Sequence, residues 1–431
     1  MAAFGIGLAG TIVMIAAFGA AFAGTVVKPL YSFRGGHANG NPMGNIIFDA
    51  QGNIFSTLSS QQDRRKRAYG GVFELSPPSL GSKSWIETEI ATFDNTKTGA
   101  HPLAGLVADS AGALYGTTST GQSYLGTVFK LLPPSGQQGS WTLQTLYGFM
   151  ESGPGPIYPV AGVIFGGDGA LYGTTTFTNR GAEVGSVFKL TPPAKEGADW
   201  LLSDLHDFTG GTDGARPIAP LVKGGSQTFY GTTSQGGGGA LCGGDSGCGT
   251  VFKLTPPVKG QTAWTETVLY AFTGGPDGGQ PVAGLILDGA GNLYGTAQIG
   301  GDAQCATSGC GVVFELSPPV RGQTVWTETV LYAFHGPTDG ADPSGSLIFD
   351  KLGNLYGAAE DYGPAGGGTV FELSPPSGGQ GAWTETTLVS LDTKTGCDPA
   401  AAVRIDASGA IYGTASQCGS RGFGNVFRIK H

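Results

Sequence analysis

The stretch PVAGLILDGAGNLYGTA, residues 281–297, holds two apolar runs around the turn signal DGAGN and reads as a hairpin of two short strands. Beyond it, GVVFELS (311–317) is a third strand, which Pro318-Pro319 ends. WTETVLYAF (326–334) then alternates in polarity as a half-buried fourth strand should. Working outward from Pro281, the same unit is found along the whole chain. Pro42, Pro102, Pro159, Pro217, Pro281, Pro343 and Pro399 are each followed at +13 by an aromatic residue: Phe55, Tyr115, Tyr172, Tyr230, Tyr294, Tyr356 and Tyr412. Seven units of about 60 residues follow from that register.

Four antiparallel strands per unit, repeated seven times, predict an all-β chain folded as a seven-bladed β-propeller. We label the strands of a blade A to D from the channel outward, with A following the proline and D carrying the tryptophan. The seventh unit stops at its third strand, VFRIKH (426–431). At the other end VKPLYSF (27–33) matches a fourth strand that has lost its tryptophan and Pro-Pro turn. The N-terminal segment is therefore expected to complete the last blade.

Composition agrees with short strands and tight turns. Of 431 residues 78 are glycine and 26 proline, yet 40% are hydrophobic and 10% aromatic, too many for a disordered chain. The formal net charge of −9 gives no electrostatic footprint for nucleic acid. The basic run Arg64–Arg67 is local, and reads as a solvated loop or as a contact for an anionic ligand.

Residues 1–23 read as a signal peptide. They are apolar and Ala/Gly-rich, and end in Ala21-Phe22-Ala23 before Gly24, a small-residue cleavage pattern. An uncleaved anchor is the alternative, because about 20 apolar residues can span a bilayer and no Lys or Arg precedes the run. Residues 24–431 then form one propeller domain, expected as a secreted, periplasmic or cell-surface monomer with no membrane span beyond the leader.

The segments D-G-x-x-P, G-N-L-Y-G-T and G-T-V-F-K/E-L-S/T-P-P resemble the GloVer tandem-repeat family over residues 27–431. The resemblance implies export, a propeller-like fold and often a terminal anchor; it implies no particular activity. The chain ends at His431 without such an anchor, so tethering is expected to use the leader.

Comparing the repeats with one another separates constant from variable connections. The second Pro of each Pro-Pro lies 7 residues before the next Trp in all six cases. By contrast, the strand B aromatic lies 18, 14, 16, 22, 20, 15 and 15 residues before the strand C Phe. In a propeller the B–C and D–A loops share one face, so variation collects on one surface, where specificity is usually placed. The loop aromatics Tyr69, Tyr124, Phe177, Tyr362 and Phe423 fall on that face and are candidates for stacking on a ligand. So do His37, His101 and His335, which converging could act as a base or as ligands and otherwise are solvated loop residues.

The six cysteines also lie on this face. Even count, local spacing and export favour the disulfides Cys242–Cys248, Cys305–Cys310 and Cys397–Cys418 over zinc ligation. No metal or cofactor is expected. Asp213, Asp277 and Asp339 share one D–A position and read as turn residues rather than as a carboxylate ring, since Thr98 and Thr395 replace them elsewhere. Asp49, Asp109, Asp288, Asp350 and Asp406 open the A–B hairpins. The six tryptophans start strand D and are expected to pack between blades.

No H-E-x-x-H, G-x-S-x-G, Walker or EF-hand pattern occurs. The expected function is therefore that of an exported binding or scaffold protein whose variable face engages a glycan, a peptide or a cell-surface partner. The alternative is a lyase or lactonase-like hydrolase acting at the channel mouth.

Overall fold

The computed structural model describes residues 26–35, 40–59, 69–136, 139–150, 155–178, 184–195, 197–242, 246–301, 305, 308–379 and 381–430. The leader, His37, Arg64–Arg67 and His431 lie outside the described residues. Seven four-stranded antiparallel sheets make a seven-bladed propeller. In blade 5 strand A is Ile286–Leu287, B is Leu293–Ala297, C is Val312–Ser317 and D is Thr327–Ala333, in the order A-B-C-D. A two-stranded ladder outside the blades, Pro156–Ile157 with Phe177–Thr178, was not expected from the sequence.

Blade 7 is built from both chain ends: Arg404–Ile405, Ile411–Ala415, Asn425–Lys430 and, outermost, Val26–Ser32. Val26 pairs with Lys430 and Ser32 with Asn425, antiparallel. The register skips Leu30, so that Pro29 faces Phe427 and Tyr31 faces Val426. The C–D ladder of blade 1 skips at the equivalent place, with Glu89 on Phe73 and Ala91 on Val72. The N-terminal strand therefore reproduces the repeat's own ladder. Pro29, which has no N–H to give, is tolerated because strand D is the outer edge.

The core is a set of contacts repeated around the ring. The strand C phenylalanines Phe73, Phe129, Phe188, Phe252, Phe314, Phe371 and Phe427 are fully buried. Each of the six glycines in the strand B sequence L/I/F-Y-G lies under such a ring: a Cβ on Gly295 would sit 2.7 Å from Cζ of Phe314. In six blades the residue after strand D is a phenylalanine that reaches the strand C phenylalanine of the next blade, as Phe272 does to Phe314 with centroids 5.1 Å apart, and in blade 6 it is Leu391. Phe33 does the same across the junction of the chain ends, 5.0 Å from Phe73.

The tryptophans latch adjacent blades as expected. Trp141 meets Phe55, Trp264 meets Tyr172 and Trp326 meets Tyr230, each an aromatic of strand B in the preceding blade. Such edge-on pairs add about 0.5–1.5 kcal/mol beyond the area they bury.

Strand A is shorter than the sequence suggests. The run after each proline reads as one strand, but only two residues per blade pair with strand B, such as Ile286 with Tyr294 and Leu287 with Leu293. The preceding residues line the central channel and bond sideways instead. Thr57, Thr117, Thr174 and Thr232 of strand B donate to the carbonyls of Ala104, Ala161, Ala219 and Ala283 in the next blade. Near the axis, ladder bonds are thus replaced at four of the junctions by inter-blade bonds, while Thr296 and Thr414 at the same position have no partner.

The outer rim carries a repeated acidic contact. Glu266, Glu328 and Glu385 of strand D are pushed up to about 7, first by burial and then by the charge of Asp213, Asp277 and Asp339 on the preceding blade. Oε1 of Glu266 and of Glu328 is buried without a hydrogen-bond partner. A carboxyl whose folded pKa lies above its unfolded value contributes stability that is present below the unfolded pKa and lost as pH rises through the folded one. The melting temperature should therefore fall between pH 5 and pH 8. After discounting for solvent screening at half-exposed groups, the loss is about 1 kcal/mol per residue. Thermal scans of the Glu266→Gln, Glu328→Gln, Glu385→Gln triple variant should show a clearly shallower fall over that window; an unchanged slope would place the titration elsewhere.

Candidate functional site

The face bearing the B–C and D–A loops has a mouth built on one backbone device used seven times. The residue before each repeat proline is never glycine, yet it is left-handed: Asn41, His101, Tyr158, Arg216, Gln280, Asp342 and Asp398 have φ between 54° and 60°. A residue before proline ordinarily takes the extended region, and left-handed non-glycine residues cost energy and cluster at functional sites. Here the frame that holds them is identical in every blade.

Each of the seven N–H groups donates to a carbonyl of the preceding blade's B–C loop: Asn41 to Phe423, His101 to Tyr69, Tyr158 to Leu125, Arg216 to Val184, Gln280 to Cys248, Asp342 to Cys310 and Asp398 to Gly367, over 2.8–3.2 Å. Each of the seven carbonyls accepts from the N–H that follows strand B of its own blade, from Ser59, Ser119, Thr176, Ser234, Gln298, Glu360 and Ser416 in turn. The proline that follows packs on the glycine opening strand C of the preceding blade. At Gly311, with φ +90°, a Cβ would meet Cδ of Pro343 at 2.5 Å and the Ala297 carbonyl at 2.7 Å. Backbone and proline are thus fully engaged, while the seven side chains are left half-buried at the mouth and are chemically almost all different.

The ring is electrostatically lopsided. On one side Arg216 lies over the ring of Phe177 with its guanidinium 5.2 Å from the centroid, and Tyr158 meets the same ring edge-on at 5.6 Å. His101 is next in the ring, its Nδ1 3.2 Å from the Ser59 carbonyl. On the opposite side Asp342, Glu360, Asp361 and Asp398 come together. Asp342 is pushed up to about 7 by burial, by the charge of Asp361 and a hydrogen bond with it, and by Glu360. Burial also raises Glu360, against a hydrogen bond from Ser344 Oγ to its Oε2 at 2.9 Å. Asp398 is raised by burial and by Asp361. Raised in this way, a carboxyl of the cluster can share a proton with its neighbours near neutral pH.

All three disulfides form with the expected partners, Cys242–Cys248, Cys305–Cys310 and Cys397–Cys418. They brace consecutive ring positions. The Cys248 and Cys310 carbonyls hold the N–H groups of Gln280 and Asp342, and Cys397 directly precedes Asp398. The cross-linked sector is therefore the one that carries the acidic side of the mouth.

The residues singled out in the sequence are dispersed. His101 is in the ring. His335 is at the rim, its Nδ1 3.0 Å from Asp339 Oδ2, beside Tyr332, whose hydroxyl donates to the same oxygen at 2.6 Å. Phe177 lies beneath Tyr158 and Arg216. Tyr362 is exposed and follows Asp361 in the chain. Tyr69 and Phe423 pack against inter-blade clusters, and Tyr124 covers Gly148 of strand D. Asp213 and Asp277 cap turns by accepting from the N–H groups of Thr209 and Thr273, as turn chemistry predicts. Among the described residues no group of three His, Cys, Asp or Glu side chains has metal-binding geometry.

The fold defines a seven-bladed propeller built from tandem repeats. The Gloeobacter/Verrucomicrobia repeat model matches residues 122–327 and 238–431, together well over half of the chain, and the protein belongs to that family. No curated protein matches the sequence. Among solved structures, polysaccharide lyase Uly1 is similar at 12% identity and TM-score 0.51, over 93% of this chain and 92% of its own. A glucose dehydrogenase is similar at 13% identity and TM-score 0.45, over 94% and 99%. The gluconolactonase XC5397 from Xanthomonas campestris follows at 11% and 0.38, over 74% and 82%. At these identities the likeness is one of fold.

Proposed function

We propose that this protein is an exported binding protein, delivered by the leader in residues 1–23, and that it takes a glycan at the mouth ring. The observation that carries the reading is the ring itself: one strained backbone frame, held by the same two hydrogen bonds in all seven blades, displays Asn41, His101, Tyr158, Arg216, Gln280, Asp342 and Asp398. Repeats that agree in nearly every packed position diverge where their side chains meet the mouth. Amide, guanidinium and carboxyl groups suit pairs of sugar hydroxyls, and Tyr158 and the exposed Tyr362 offer faces for stacking. The three disulfides support the reading, because a braced loop loses less entropy on binding.

One observation favours a second reading. Asp342, with a pKa of about 7 and Asp361 bonded to it, is tuned for general acid–base work at neutral pH, which suits a hydrolase or lyase acting on the same glycan. A glycan array probed with the wild type and with the Arg216→Ala and Asp398→Ala variants tests the first reading. Both variants should lose at least roughly tenfold in affinity, the range expected when a hydrogen bond to a charged group is removed. Retained binding in both would move the site off the ring. Incubating array hits with the protein and assaying new reducing or unsaturated ends decides between capture and turnover.

A further inference from the structure

The central channel encloses about 370 Å³ and is lined by the residues that follow each repeat proline, among them Leu103, Val160, Ile218 and Val282. Among the described residues of that lining Arg404 is the one charged side chain. At the equivalent position the other blades carry Ile47, Val107, Ile164, Val222, Ile286 and Ile348. Arg404 is half-buried, and a guanidinium set among apolar neighbours gains from an anionic partner.

The pairing given by the chain itself is slight. Arg404 Nε donates to the Ile46 carbonyl at 3.2 Å. The nearby carboxylate in sequence, Asp406, is engaged elsewhere: its Oδ1 accepts from the N–H groups of Ser408 and Ala410, and its Oδ2 takes the Tyr412 hydroxyl and lies 3.8 Å from Arg428. Burial alone lowers the guanidinium's pKa, with no acid raising it. The two polar neighbours at this end are also committed to the frame: Asn45 Oδ1 accepts from Ala402 N, and Ser346 Oγ from Gly284 N.

We propose that Arg404 is an anion-binding residue and that the channel takes a small monoanion, a carboxylate or a halide, at the end where strand A runs into the A–B turn. This site is separate from the mouth ring. Arg404 lies five residues beyond Pro399, which follows the ring residue Asp398, and two before Asp406, which opens the turn. A planar carboxylate matches the fork of a guanidinium and a halide satisfies only its charge, so the two sources separate by affinity.

Thermal melts of the full chain at fixed ionic strength, balanced with a bulky sulfonate, would follow titrations of acetate, formate, chloride and bromide. The wild type should show a saturable rise of roughly 2–4 °C. Acetate acting at tenfold lower concentration than chloride identifies a carboxylate site; the reverse order identifies a halide site. Arg404→Ile restores the residue type of the other six blades and should fold. It should lose the saturable response and, in anion-poor buffer, melt above the wild type. An identical anion response in Arg404→Ile overturns the proposal. So does a lower melting point in anion-poor buffer, which would make Arg404 a structural tie to Ile46. Crystals soaked in bromide should show anomalous density beside the wild-type guanidinium and none in the variant.

Discussion

A chain lacking residues 26–32 should melt at least roughly 10 °C below the full-length protein and lose its single cooperative transition. Six ladder pairs between Val26–Ser32 and Asn425–Lys430 disappear, each hydrogen bond among them contributing about 0.5–1.5 kcal/mol. The side chains of Val27, Leu30 and Tyr31 leave two of the inter-blade clusters. The sum rivals the whole stability of an ordinary domain, about 5–15 kcal/mol. Strand Asn425–Lys430 would then become an open edge able to pair with another chain. Adding the peptide VVKPLYSF in trans should restore the lost transition. A truncated protein with an unchanged melt would sink the account of closure, and so would failure of the peptide to bind it.

The second large effect concerns the glycine that opens strand C. Gly311→Ala puts a methyl 2.5 Å from Pro343 Cδ and 2.7 Å from the Ala297 carbonyl, at a φ of +90° that alanine resists. Backbone strain of about 1–2 kcal/mol adds to an overpacking cost of about 1–3 kcal/mol. Gly353 provides the control: its φ is +89°, and a Cβ there meets nothing within 4 Å. Gly353→Ala carries the strain without the clash. Denaturant titrations of the two variants should therefore differ by the clash alone, with Gly311→Ala the less stable. Equal midpoints would show that the proline does not seal the blades.

Much of this architecture could be read from the sequence because its determinants are periodic. The constant Pro-to-aromatic and Pro-Pro-to-Trp spacings reflect hairpins and latches of fixed geometry, and they gave blade number, strand order and closure. The disulfides were legible because their partners are close in the chain. The mouth ring is not legible in the sequence as a motif, because its residues share no chemistry: Asn41, His101, Tyr158, Arg216, Gln280, Asp342 and Asp398 are united by a backbone angle. A usable signal was present, since the position before an invariant proline is always polar or aromatic. The loop aromatics show the opposite confusion. Tyr69 and Phe423 looked irregular in a variable loop, but each precedes the glycine of strand C and occupies the fixed site whose carbonyl holds the next blade's ring residue.

The division of labour in that ring bears on how such proteins diversify. Main-chain groups and the proline hold the backbone frame, so exchanging a side chain there leaves the frame's own hydrogen bonds in place. One substitution alters one of seven positions at the mouth, and a duplicated blade arrives already wired to carry a new one. A lineage built this way can change the chemistry of its mouth by single steps, keeping the same backbone frame at every stage.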